Sequence, residues 1–185
     1  MPATLYYIIG ASGAGKDSLL NAVREQLATV GNTLIAHRYI TRPAAASGEN
    51  HIALSSAEFE SRKSQGLFKM HWAANNCQYG VGIEIDQWLN AGINVLVNGS
   101  RGYLDTAKAL HPKLIVIYIN VDTQTLKQRL INRGRESEME IDARLQRHKK
   151  LSTSVDIDAL CIDNSGELSA ACERLIKITS GNSRE

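Results

Sequence analysis

Gly10-Ala11-Ser12-Gly13-Ala14-Gly15-Lys16 sets a glycine, four intervening residues, a second glycine and a lysine in the order that a phosphate-cradling loop needs. Glycines let successive backbone amides turn inward around an anion, and a helix starting at the lysine adds its positive N-terminal end. The Lys16 ammonium can then reach the β- and γ-phosphates of a nucleotide as they gain charge. A chance glycine-rich turn is the competing reading. The flanks argue against it: the apolar run Leu5-Tyr6-Tyr7-Ile8-Ile9 leads in, and Leu19, Leu20, Val23 and Leu27 recur at helical spacing behind. The segment from Gly10 to Ser18 is therefore expected to bind ATP.

One position departs from the usual loop. A serine or threonine normally follows the lysine and offers its hydroxyl to Mg²⁺, whereas here Asp17 follows, then Ser18. The strand Val95-Leu96-Val97, where an acidic metal ligand is expected, ends in Asn98. We expect Asp17 to provide the carboxylate that Asn98 lacks, directly or through a metal-bound water, because either oxygen ligand suits a hard cation. The alternative is that Asp17 only caps the helix from its first turn. Asp17 and Ser18 are the candidate metal residues.

An α/β framework must position these groups. Buried strands are expected at 5–9, 33–37, 93–97, 114–119 and 159–162, alternating with helices at 85–90, 123–132, 138–151 and 168–178, besides the one that starts at Lys16. Such alternation predicts a mostly parallel sheet covered on both faces. Gly31 is placed as the close of the first helix, and the polar stretch 38–54 as an irregular flap. A helix capped by Ser55 or Ser56 and short strands at 68–73 and 79–80 would form a small substrate-side subdomain. Trp72, Trp88 and Phe59 read as core. The 185 residues, 43% of them hydrophobic with only 3 prolines, suit a single domain over 1–185 with small inserted flaps. A net charge of +2 gives no ground for a nucleic-acid coat or a membrane surface, and no apolar run reaches membrane-spanning length. Met1 to Gly10 lacks a basic n-region and a cleavage site, so this segment is not expected to act as a secretory leader. Cys77, Cys161 and Cys172, odd in number and without metal-type spacing, read as buried or half-buried thiols of a reducing compartment. The expected location is cytoplasmic; the oligomeric state stays open.

Beyond the loop, Ala36-His37-Arg38-Tyr39-Ile40-Thr41-Arg42, Glu49-Asn50-His51-Ile52-Ala53-Leu54, Tyr79-Gly80-Val81-Gly82, Val97-Asn98-Gly99-Ser100-Arg101 and Asn132-Arg133-Gly134-Arg135-Glu136 together resemble the ribose 1,5-bisphosphate phosphokinases of bacterial phosphonate breakdown. The match spans nearly the whole chain and includes Asp17 and Asn98. A wider frame is similar to the guanylate kinases, in Thr41-Arg42-Pro43, Gly48-Glu49, Phe68, Tyr79-Gly80 and an arginine-rich lid. That resemblance implies a P-loop NTPase fold with an acceptor-binding insertion at about 38–92 and a lid at about 132–142. The guanine-reading glutamate of those kinases falls on Met70, their paired aspartates on Asn98 and Ser100, and their second phosphate-gripping arginine within Ala44-Ala45-Ala46. Losing buried hydrogen-bond partners removes orders of magnitude of discrimination, so the frame is kept and base reading is lost.

The resemblance implies transfer of phosphate from ATP, with Mg²⁺, to ribose 1,5-bisphosphate, giving 5-phosphoribosyl 1-diphosphate. Lys16, Arg133 and Arg144 would be catalytic, while Arg129 and Arg135 would join Gly10, Ala11, Ser12, Gly13, Ala14, Gly15, Asp17 and Ser18 on the nucleotide. Arg38, Arg42 and Arg101 would grip the acceptor phosphates with their guanidinium forks. Tyr39, Glu49, His51, Tyr79, Asn98 and Ser100 would touch its sugar or phosphates. Plainer readings stand beside these: helix arginines as surface charges, His51 as a loop hydrogen-bonder, Tyr79 as packing. A guanylate or other nucleoside-monophosphate kinase is the rival enzyme, and a non-catalytic nucleotide-binding module the rival of another class.

Overall fold

Alternate residues of the strands point to opposite faces of a sheet, and here both faces are apolar. In the computed structural model, which describes residues 3–30, 32–43, 50–134, 137–152 and 158–181, the chain runs β1 (Leu5–Gly10), α1 (Lys16–Val30), β2 (Thr33–Ile35), β3 (Arg38–Ile40), β4 (Ile52–Ala53), α2 (Ser56–Ser64), β5 (Phe68–Ala74), β6 (Cys77–Gly82) and α3 (Glu84–Asn90). It continues through β7 (Asn94–Asn98), a 3-10 turn (Arg101–Tyr103), α4 (Leu104–Leu110), β8 (Ile115–Asn120), α5 (Thr123–Arg133), α6 (Glu138–Ser152), β9 (Leu160–Asp163) and α7 (Leu168–Thr179). The main sheet is parallel, in the order β2-β7-β1-β8-β9.

On one face Tyr6, Ile8, Leu96, Ile117 and Ile119 pack against α1, α5, α6 and α7 through Leu19, Val23, Leu126, Ile141 and Leu175. On the other, Tyr7, Ile9, Val95, Val97 and Tyr118 meet Met70 and Val81 of a second sheet, together with Ile85 and Leu104. Strand period and helix period thus interlock on each side of the sheet, and the mostly parallel, helix-covered architecture expected from the sequence is present.

The second sheet, in the order β4-β3-β6-β5, corrects one expectation. The stretch 38–54 is not simply an irregular flap: β3 pairs antiparallel with β6, and Tyr39 and Ile40 pair with Ile52 and Ala53 of β4. These strands are two or three residues long, too short for alternation to announce them. Asn75 and Asn76, with φ of 48° and 59°, turn β5 back into β6. Ser55 caps α2, its Oγ accepting from the Glu58 N–H at 3.1 Å. Leu54, Phe59 and Phe68 form a small core of their own under this sheet.

Two further differences are local. β2 ends at Ile35, although the Ala36 N–H still donates to Leu96 O at 3.0 Å. Helix α4 was not expected, since only Leu104 and Ala107 of its seven residues are buried. The proposed close of α1 at Gly31 lies outside the described residues. Of the cysteines, Cys161 is exposed, contrary to expectation, because it sits on the outward side of the edge strand β9.

Candidate active site

β1 lies between β7 and β8, and the glycine loop leaves its carboxyl end, where ligands of open parallel sheets bind. Gly13 and Gly15 have φ of 96° and 85°, a left-handed region that side chains resist, and this turns the loop amides into a cradle. Lys16 donates through Nζ to Gly10 O at 2.8 Å and Ala11 O at 3.0 Å, so its ammonium spans the loop. The loop is also held from behind. Asn164, 2% exposed, donates Nδ2–H to Ala14 O at 2.7 Å. Arg129 donates to Ala14 O at 3.4 Å and to Asn164 O at 2.9 Å. Arg129, expected to fold over the nucleotide, is therefore placed as a brace on the loop's carbonyl side. Asn164 had no chemical signature in the sequence beyond a turn of polar residues.

Asp17 and Asn98 meet. The Asp17 Oδ1 accepts from Asn98 Nδ2 at 2.7 Å and from Arg38 Nη2 at 3.4 Å. The Asp17 side chain is 48% exposed, whereas that of Arg38 is 12% exposed. Asn98 Oδ1 is buried and accepts no hydrogen bond from the described residues. A half-exposed carboxylate beside a buried amide oxygen, at the start of the phosphate-facing helix, suits a hard cation that keeps most of its water. Ser18, one residue further on, is exposed. Next to Asn98, the Tyr7 hydroxyl donates to Ser100 O at 3.1 Å and accepts from the Ser100 N–H at 3.0 Å. Burial pushes the Tyr7 phenol up to about 12, against the opposing hydrogen bond from the Ser100 backbone. A β-carbon at Gly99 would lie 2.1 Å from Tyr7 Cζ, so only glycine fits beside the ring.

On the acceptor side, Arg38 lies 5.3 Å above the Tyr79 ring, and Tyr79 stacks on Trp72 with centroids 5.6 Å apart. Trp72 in turn leans on Tyr103 at 5.5 Å. This aromatic column fixes Arg38 at the mouth of the site; Tyr79 thus both packs and positions. His51, 8% exposed, has Nε2 at 3.1 Å from Arg42 O, so it secures the backbone that carries Arg42. Tyr39 packs against Phe68 and under Arg62, on the α2 side of its strand. Arg101 stacks 5.4 Å from the Tyr118 ring with Nη1 and Nη2 both buried. In that conformation neither terminal nitrogen has a hydrogen-bond partner among the described residues.

Among the lid arginines, Arg144 reaches the loop itself, donating to Ser12 Oγ at 3.0 Å, and Arg133 is exposed at the end of α5. Ile141, Leu145 and His148 bury one face of α6 in the core, with His148 Nε2 at 2.9 Å from Val121 O. Glu49 and Arg135 lie outside the described residues.

The fold and this loop define a P-loop kinase. The guanylate kinase family model matches residues 3–180. Ribose 1,5-bisphosphate phosphokinase PhnN of Psychromonas ingrahamii is 48% identical over 174 residues, which is 94% of this chain and 88% of that protein. The proteins of the same name from Pectobacterium parmentieri and Enterobacter lignolyticus are 49% and 45% identical, over 89% and 100% of this chain and 87% and 97% of their own. Guanylate kinase from Anaplasma phagocytophilum superposes with a TM-score of 0.68 over 100% of this chain and 89% of that one; at 15% identity this is a likeness of fold. The chain belongs to the ribose 1,5-bisphosphate phosphokinases, within the guanylate kinase family.

Proposed function

We propose that this kinase transfers the terminal phosphate of ATP to the 1-phosphate of ribose 1,5-bisphosphate, yielding ADP and 5-phosphoribosyl 1-diphosphate for phosphonate degradation. What carries the reading is the identity, close to half, with relatives of that name over nearly the whole chain. The acceptor side supports it. Met70 is fully buried among Tyr7, Val81 and Val97, an apolar setting that offers nothing to a purine edge. A sugar carrying two phosphates asks instead for cations, which Arg38, bonded to Asp17 beside the glycine loop, and Arg42 would supply.

An oxygen of the 1-phosphate attacks the γ-phosphorus, and the bond from that phosphorus to the β,γ-bridging oxygen breaks. The second pKa of a phosphate monoester is near 6, so the nucleophile is already ionised at neutral pH and needs no general base. Rate then comes from alignment and charge neutralisation. The loop amides and Lys16 hold the β- and γ-phosphates. Arg144, already against Ser12, and Arg133 follow the transferring group, and their closure excludes the water that would hydrolyse ATP. Mg²⁺, held by Asp17 with Asn98 beside it, would neutralise charge on the β- and γ-oxygens.

The test is a coupled assay for 5-phosphoribosyl 1-diphosphate with purified protein, run beside GMP and other nucleoside monophosphates. Turnover of ATP that depends on ribose 1,5-bisphosphate is expected. Preferential turnover of a nucleoside monophosphate would overturn the proposal.

A further inference from the structure

Strand alternation sends Tyr6 and Tyr7 to opposite faces of the main sheet, and each carries a hydroxyl into an apolar layer. A buried phenol needs a hydrogen-bond partner. That of Tyr6 donates to Ile178 O at 3.4 Å, in the last turn of α7. The fully buried Tyr7 does something else. Its hydroxyl donates to Ser100 O at 3.1 Å and accepts from the Ser100 N–H at 3.0 Å, so it holds both backbone groups of one residue.

Those two bonds sit at a corner. β7 ends at Asn98, and the chain turns through Gly99 and Ser100 into the 3-10 turn that carries Arg101. The Tyr103 N–H donates to the same Ser100 O at 3.1 Å, which starts that turn, and the Gly99 N–H donates to Ile8 O at 2.8 Å. Gly99 packs on the Tyr7 ring, where a β-carbon would collide. β1 therefore grips the corner from consecutive residues, Tyr7 through its side chain and Ile8 through its backbone. On one side of the corner, Asn98 Nδ2 donates to Asp17 Oδ1 at 2.7 Å. On the other, the contact of Tyr103 with Trp72 joins the turn to the aromatic column that fixes Arg38. The Tyr7 phenol lies within electrostatic reach of both Tyr103 and Arg38.

Three residues past Tyr7, at Gly10, the same strand opens into the glycine loop. At ~3.3 Å per residue, roughly 10 Å of strand separates the phenol-bearing residue from the cradle. We infer that Tyr7 is a positioning residue for phosphoryl transfer: its hydroxyl holds the Asn98–Ser100 corner, and with it the acceptor side, in register with the nucleotide cradle at the end of the same strand. Transfer between two bound phosphates depends on such register, since a misplacement of about 1 Å can cost about 100-fold in rate. The inference rests on the acceptor lying over this corner, as the reading above has it.

The test removes the hydroxyl and keeps the ring, with every assay run below the melting temperature of the variant so that each is read folded. Tyr7→Phe should lower kcat about 30-fold and leave the calorimetric Kd for ATP within about twofold, because the loop amides and Lys16 are untouched. Tyr6→Phe deletes the neighbouring buried hydroxyl on the opposite face and should leave kcat within about twofold. Placing 4-aminophenylalanine at position 7 returns a donor to Ser100 O and should bring kcat back to within about fivefold of wild type. An unchanged kcat in Tyr7→Phe would overturn the inference. So would equal losses of kcat and ATP affinity, or an equal loss of kcat in Tyr6→Phe, since either marks a general loosening of the sheet. Failure of the amine to restore kcat while it restores the melting temperature would do the same. The ratios are taken with the acceptor that wild type turns over fastest. A preference for GMP would sink the proposed function and leave Tyr7 to be judged on GMP; if wild type turns over no acceptor, both fall.

Discussion

At the scale of single residues, the loop lysine and the two departures beside it behave differently. Lys16 touches loop carbonyls and packs no core, so Lys16→Ala should keep its melting temperature within a few degrees and lose at least about 100-fold in kcat. Retained turnover would remove the lysine from its role. Asp17 orders Asn98 and Arg38, and on the proposed reading it also offers oxygen to a cation. Asp17→Ser restores the ordinary loop hydroxyl; we expect the Mg²⁺ concentration for half-maximal activity to rise about tenfold, as when a metal site loses a supporting ligand. An unmoved midpoint would leave Asp17 as a scaffold only. Gly99 tests packing rather than chemistry: a methyl group there meets the Tyr7 ring, and Gly99→Ala should cost about 3 kcal/mol in urea unfolding. The sequence disclosed Lys16, Asp17 and Asn98 because their types sit at fixed offsets from glycines or strand ends. It could not disclose Asn164, whose importance lies in the Ala14 carbonyl it holds, and that depends on tertiary placement.

At the scale of elements, α6 is anchored in the core and also reaches the glycine loop. Its Ile141, Leu145 and His148 are in the core, while Arg144 on a neighbouring face bonds Ser12. A helix held this way swings little as a whole, so the approach of Arg144 to the transferring group is a movement of its side chain. Arg144→Ala should therefore lower kcat about 100-fold while the KM for ATP changes less than fivefold, because the contact matters most when charge develops on the transferring phosphate. A rise in KM with unaltered kcat would assign Arg144 to ground-state binding. The long strands and helices of the main sheet were legible, since their apolar runs and helical stripes are strong. The second sheet was half legible. β5 and β6 showed themselves, but β3 and β4 are too brief to carry a period; β3 exists because β6 pairs beside it, and β4 because β3 does.

At the scale of the whole molecule, stability should record the buried tyrosine under Gly99. Tyr7 ionises near 12 in the fold and near the ordinary 10.0 when unfolded. Its contribution is complete below pH 10 and is lost as pH rises toward 12, amounting to about 2–3 kcal/mol. Tyr6 is pushed up by burial as well, so the difference between wild type and Tyr7→Phe isolates the Tyr7 part. Denaturant midpoints taken from pH 8 to 12 should converge between the two proteins as the alkaline loss proceeds; parallel curves would refute this. The clamp behind the glycine loop has its own consequence for synthesis of the chain. Ala14 O is secured by Asn164, at the end of β9 and 150 residues away in the chain. A chain still emerging from the ribosome lacks this brace on its nucleotide cradle until the later strand has docked.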